Sequence, residues 1–179
     1  VAAKLTEFAA LQGDRIACIA YAQQAIGKVA MSGGIAAVKK IRQLLGGLSA
    51  ANETANALNA AFEVKQMLKH RGLVVFLTEI EQPEAAAQLI QAGQLLATKH
   101  QVLIASLDDP VTANVLRQPA QHWADPYRHF AALEYQQGRE LSLKQMQRNG
   151  VAITTATVKY LDQQVLTYYQ TKRDKIGSA

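Results

Sequence analysis

Cysteine is nearly absent: Cys18 is the single one in a chain of 179 residues. No internal disulfide can form, which fits a reducing compartment without requiring one. Cys18 lies inside the apolar stretch RIACIAYA, where a small core residue is expected rather than a nucleophile. Charge is also sparse. Asp, Glu, Lys and Arg make up 18% of the chain against 49% hydrophobic residues, a balance that excludes a disordered chain. No apolar run reaches the roughly 20 residues that a membrane helix needs. Internal repeats and low-complexity segments are missing as well.

The usual marks of chemistry are equally scarce. Gly33-Gly34 has neither the spacing of a dinucleotide fingerprint nor a Walker lysine, and a plain turn before a helix is expected there. Ser106 lacks the flanking glycines of a nucleophile elbow. His70, His100, His122 and His129 show no metal-ligand spacing, and His100 reads as a cation at a helix end. The net charge is +5, from 19 basic and 14 acidic residues. Residues 110–179 carry nine Lys and Arg against five Asp and Glu, but these are scattered and not interleaved with aromatics. No nucleic-acid partner is expected.

What is present is most legible between Arg71 and Pro110. LVVFL is a continuous apolar, β-branched run of the kind that helices cover on both faces. Pro83 and Glu84 suit a helix start, and VLIASL follows as a second buried strand. Strand, helix, strand makes a parallel crossover unit, and ligands of such sheets lie beyond the carboxyl ends of the strands. Thr78, Glu79, Asp108 and Asp109 are placed on that edge. They read either as a cation site or as solvated strand-end loops.

Around this unit the pattern predicts a helix over Ala2–Leu11, strands over Arg15–Tyr21 and Ile26–Met31 joined as a hairpin, and a helix bearing Ile35, Val38, Ile41, Leu44 and Leu45 on one face. A further helix is expected over Ala51–Lys69. After Pro110 a loop with a short helical turn is expected as far as Pro126, then a long helix over Tyr127–Arg148. Asn149-Gly150 stops it, VAITTA is a last strand, and a final helix runs over Val158–Lys175. Trp123 and Tyr127 form the one aromatic-rich loop, suited to an interface or to anchoring the loop on the core. The expectation is one α/β domain over 1–179, with a doubly wound, mostly parallel sheet flanked by helices and an antiparallel edge hairpin. A sheet of this kind normally opens with its central strand, whereas this chain opens with a helix. An N-terminal truncation is therefore expected.

Taken in order, GDRIACIAYA, the LVVFLTEIEQP run, the His100-x-Val-Leu strand and the Tyr169-to-Lys172 close resemble bacterial proteins of domain of unknown function fifty-eight, in the von Willebrand factor A-like superfamily. The resemblance covers nearly the whole chain. It implies a metal-ion-dependent adhesion site built from an Asp-x-Ser-x-Ser loop, a second-loop Thr and an Asp after a later strand. Here the first loop is absent, Thr54 is the only match for the Thr, and Glu79 stands at the Asp position. No metal or other cofactor is expected, with Mg²⁺ admitted only if an upstream loop restores the site. The resemblance further implies a non-enzymatic scaffold that binds a protein, an AAA-type ATPase being the candidate partner. It places the domain in the cytoplasm, or on the cytoplasmic side of a membrane if upstream anchors exist. The other reading is a Rossmann-like domain that binds or transforms a small molecule at the same edge.

Overall fold

The structure is a computed structural model that describes residues 1–49, 53–80, 83–108, 110–119 and 121–176. Its elements run α1 (Ala2–Leu11), β1 (Arg15–Tyr21), β2 (Ala25–Gly33), α2 (Gly34–Gly46), α3 (Ala57–Met67), β3 (Leu73–Thr78), α4 (Pro83–Ala97), β4 (Gln101–Leu107), α5 (Pro110–Arg117), α6 (Asp125–Arg148), β5 (Ala152–Ala156) and α7 (Val158–Ile176). The fold is mixed α/β.

Strands β3, β4 and β5 form a parallel sheet with β4 in the middle. Leu73 pairs with Gln101 at one end of the β3–β4 ladder and Thr78 with Ser106 at the other. Across β4, Leu103 faces Ala152 and Leu107 faces Ala156. Val102 through Ser106 are all buried, which is why VLIASL carries no polar alternation. Helices cover both faces. Val102 and Ile104 pack with β3, α3, α4 and Met146 of α6, whereas Leu103 and Ala105 pack with Leu161 and Val165 of α7 and with Leu5 of α1. LVVFL is less enclosed than expected. Val74 and Phe76 are buried, but Val75 is half-buried and Leu77 exposed, because β3 is the outer strand of this sheet.

The hairpin departs from the expected architecture. Strands β1 and β2 pair antiparallel from Arg15–Gly33 to Tyr21–Ala25, in a two-stranded sheet of their own rather than at the edge of the parallel one. A ring contact and a backbone hydrogen bond from the α3 cap take the place of strand pairing between the two sheets. The Tyr21 ring meets Phe76 edge-on at 6.4 Å, and the Asn56 N–H donates to the Ala22 carbonyl at 2.8 Å.

Three helical expectations are corrected. In α2 the buried residues are Ala37 and Ile41, and Ile35 is exposed. That helix covers only α1 and the small hairpin, so its apolar stripe is wider than the surface beneath it. In α3, Ala57, Ala60 and Ala61 face inward and Phe62 outward, since small residues let the helix lie close against α4. The stretch after Pro110 is a full helix, α5. Pro110 occupies a first-turn position that tolerates proline, and Pro119 ends the run. Helix α6 stops at Asn149, and Gly150 takes a left-handed φ of 74° that a side chain would strain.

Ile104 is fully buried in the central strand, so Ile104→Ala should lower unfolding free energy by about 2–5 kcal/mol. Val75→Ala, at a half-buried position, should cost distinctly less. Urea unfolding of both variants checks the order, and equal losses would contradict the placement of β4 at the centre.

Candidate functional site

The carboxyl ends of β1, β3 and β4 converge on one edge. The β1 end is fixed there by the contact between Tyr21 and Phe76 and by the Ala22 hydrogen bond to Asn56. Burial pushes the Tyr21 phenol up, and the neighbouring Thr78 side chain offsets part of the rise. The Tyr21 hydroxyl is buried without a well-formed hydrogen bond, so it is held neutral by its surroundings.

Thr78 closes β3, its Oγ1 donating to the Glu79 carbonyl at 3.3 Å, and Glu79 follows on the exposed side. Asn56 caps α3 by accepting the Asn59 N–H at 3.0 Å. Thr54 precedes that cap by two residues and is exposed. Asp108 is held tightly. Its Oδ1 accepts from Arg139 Nη2 at 2.8 Å, the same guanidinium donates to the Leu107 carbonyl at 2.9 Å, and the Asp108 N–H donates to the Ala156 carbonyl at 3.0 Å. Asp109 lies outside the described residues. Among the described residues no three His, Cys, Asp or Glu side chains converge as a metal-binding group.

No family model, curated protein or solved structure matches this chain. The α/β class therefore rests on the pairing and packing described above. No helix among the described residues is long and apolar enough to cross a membrane.

Arg139 is the residue that sequence reasoning passed over. It reads as one scattered basic residue of a surface helix, yet its side chain is largely buried and ties α6 to the ends of β4. Its separation of 31 residues from Asp108 leaves no local signal. Trp123 and Tyr127 prove exposed, at 86% and 72%, which favours the interface reading over core anchoring. They sit between α5 and the first turn of α6.

Two other expectations resolve away from chemistry. Cys18 is half-buried and its thiol is raised by desolvation, which lowers its nucleophilicity. His100 is not a helix-end cation. It lies beyond the last turn of α4, is buried, and has a lowered pKa, first from desolvation and second from the nearby Lys99. Lys99 itself donates to the Lys69 carbonyl at 2.5 Å. The Gly13-Asp14-Arg15 segment and the Tyr169 region meet at the opposite end of β1. Tyr169 donates to the Asp14 carboxylate, Arg173 Nε lies 3.4 Å from the same group, and Arg173 Nη2 donates to the Gln12 carbonyl at 2.9 Å. Burial and then Asp14 raise the Tyr169 phenol beyond the tyrosine range. These two quoted segments form a clasp between α1, β1 and α7.

Because folding lowers the His100 pKa, the folded state binds fewer protons than the unfolded one. Stability should be full above the ordinary histidine value of 6.5 and should fall as pH drops below it. His100→Gln should flatten the pH dependence of thermal melting between about pH 5 and 7, and an unchanged slope would show that His100 does not contribute.

With Arg139 already neutralising Asp108, calorimetric titration with Mg²⁺ or Mn²⁺ should give no site-specific heat in this chain. Micromolar binding that disappears in Asp108→Asn would overturn this.

Proposed function

We propose that this chain is a non-enzymatic protein–protein interaction module of von Willebrand A-like type, with its partner bound at the carboxyl edge of the parallel sheet. The observation that carries the reading is the pair Trp123 and Tyr127, exposed where α6 begins on a segment anchored by Asp125. The Asp125 carboxylate accepts the N–H groups of Gln121 at 2.8 Å and His122 at 2.7 Å. These two hydrogen bonds, in that order, hold the carboxyl below the ordinary aspartate range. The aromatic pair is thereby presented on an ordered turn rather than a loose one, which reduces the entropy lost on binding. Exposed Trp and Tyr are the residue types that most often supply interface anchors.

The remaining groups at the edge suit recognition better than turnover. Asp108 is engaged by Arg139, Ser106 is fully buried in β4, and the Tyr21 phenol is held neutral. The resemblance to domain of unknown function fifty-eight makes an AAA-type ATPase the candidate partner. A metal-ion-dependent site in the full protein would require an Asp-x-Ser-x-Ser loop beside Thr54 and Glu79.

Affinity capture tests this with the wild-type chain and a Trp123→Ala/Tyr127→Ala variant of unchanged melting temperature. The wild type should retain a defined protein partner. The variant should bind it roughly tenfold or more weakly, since aromatic anchors typically contribute 2 kcal/mol or more. Equal retention by both proteins would remove the aromatic pair from the proposal.

A further inference from the structure

Helix α6 has apolar residues on two opposite faces. The inner face is accounted for: Ala132, Arg139 and Met146 recur seven residues apart and pack against the body of the domain. On the outer face, Phe130, Leu133 and Leu141 are exposed at 62%, 45% and 66%. They continue the line begun by Trp123 and Tyr127. From Tyr127 the outer positions step alternately by three and four residues, through Phe130, Glu134, Gln137 and Leu141 to Lys144. This is the three–four spacing of a coiled-coil seam, with Tyr127, Phe130 and Leu141 apolar and Glu134, Gln137 and Lys144 polar, on the side opposite the one the domain uses. The three aromatic residues alone expose about 300–550 Å², taking roughly 150–250 Å² for each when whole. A stable dimer needs about 800 Å² from each partner, so the aromatics supply around half before the leucines and flanking side chains are counted.

The order of residues along this seam indicates what covers it. If a second copy lies antiparallel with its Leu141 against Phe130, the same register sets its Lys144 against Tyr127. It also sets its Gln137 against Glu134. Phe130 then meets Leu141, the Tyr127 ring receives a cation, and the acidic residue meets an amide. Lys144 is available for this role, with only a long 3.8 Å contact to Glu140. A parallel arrangement would instead oppose Lys144 to Lys144 and Glu134 to Glu134, which is repulsive. Ala131 and Gly138 flank the seam and allow the two backbones to approach closely. A C₂ contact of this kind is isologous, with each pairing made twice.

We propose that two copies of this chain pair antiparallel through the outer face of α6. The inference rests on reading Trp123 and Tyr127 as contact residues, and it names their partner as a second copy. Sedimentation equilibrium of the 179-residue chain at micromolar concentration should give a dimer. Phe130→Glu/Leu141→Glu should give a monomer with an unchanged far-ultraviolet circular dichroism spectrum. Orientation is read by disulfide trapping in a Cys18→Ser background. A mixture of Phe130→Cys and Leu141→Cys proteins should cross-link to each other, and neither should cross-link to itself. A monomeric wild type, or self-cross-linking of the Phe130→Cys protein, would overturn the proposal. A monomer that still captures another protein through Trp123 and Tyr127 also overturns it, and leaves the interaction reading standing with a different partner. A dimer abolished by Phe130→Glu/Leu141→Glu supports the pairing even if capture proves independent of Trp123 and Tyr127.

Discussion

The enclosure of β4 is the constraint on which the rest depends. Five successive residues, Val102 to Ser106, leave water together, and their backbone groups are satisfied only because β3 and β5 pair on either side. Parallel pairing requires crossovers, and helices α4 and α6 both return over the same face. The other face is left for α7 and α1. Close approach is needed where the crossovers meet the sheet. Gly93 of α4 faces Val151 at the approach to β5, where an added Cβ would come within 3.1 Å of the valine side chain. The edge at which Thr78, Glu79 and Asp108 lie is a product of this arrangement, since each follows the carboxyl end of a strand that β4 holds in register.

Charged groups in this chain mostly fasten elements rather than create a reactive centre. Arg139 joins α6 to the end of β4, and Asp14 with Tyr169 and Arg173 joins the two ends of the chain's described core. Lys28 with Glu63, at 2.6 Å, links the hairpin to α3. The exposed pairs among them add little energy one at a time, but each fixes a relative position. Five exposed apolar or aromatic side chains, Trp123, Tyr127, Phe130, Leu133 and Leu141, lie on α6 and the turn before it, and they are why recognition rather than turnover is the reading advanced.

Much of the fold was legible because burial on both sides of a strand leaves a mark that needs no partner to be read. VLIASL, LVVFL, Pro83 and Asn149-Gly150 are local signals, and the elements they announce are present. The failures occurred where the outcome depended on distant residues. Nothing within RIACIAYA says that β1 pairs only with β2, because that depends on Tyr21 meeting Phe76 across the join. The inward turn of Ala57, Ala60 and Ala61 in place of Phe62 depends on how near α4 lies. At the candidate site, Thr54 rested on the resemblance alone, whereas the positions of Thr78, Glu79 and Asp108 followed from topology. The capture of Asp108 by a side chain 31 residues away did not.

The join between the two sheets has a further consequence for dynamics. Within each sheet, strands are held by ladders of backbone hydrogen bonds, whereas the hairpin is tied to β3 and α3 by a ring contact, the bonds from Asn56 to Ala22 and from Asn59 to Gln23, and the exposed Lys28–Glu63 pair. Structures open preferentially where cooperative hydrogen bonding is interrupted. The hairpin with α2 thus constitutes a separate unit of local unfolding, able to loosen while β3, β4 and β5 stay closed. Amide protons of β1 and β2 then exchange with solvent through this partial opening, and those of β4 only through disruption of the whole parallel sheet.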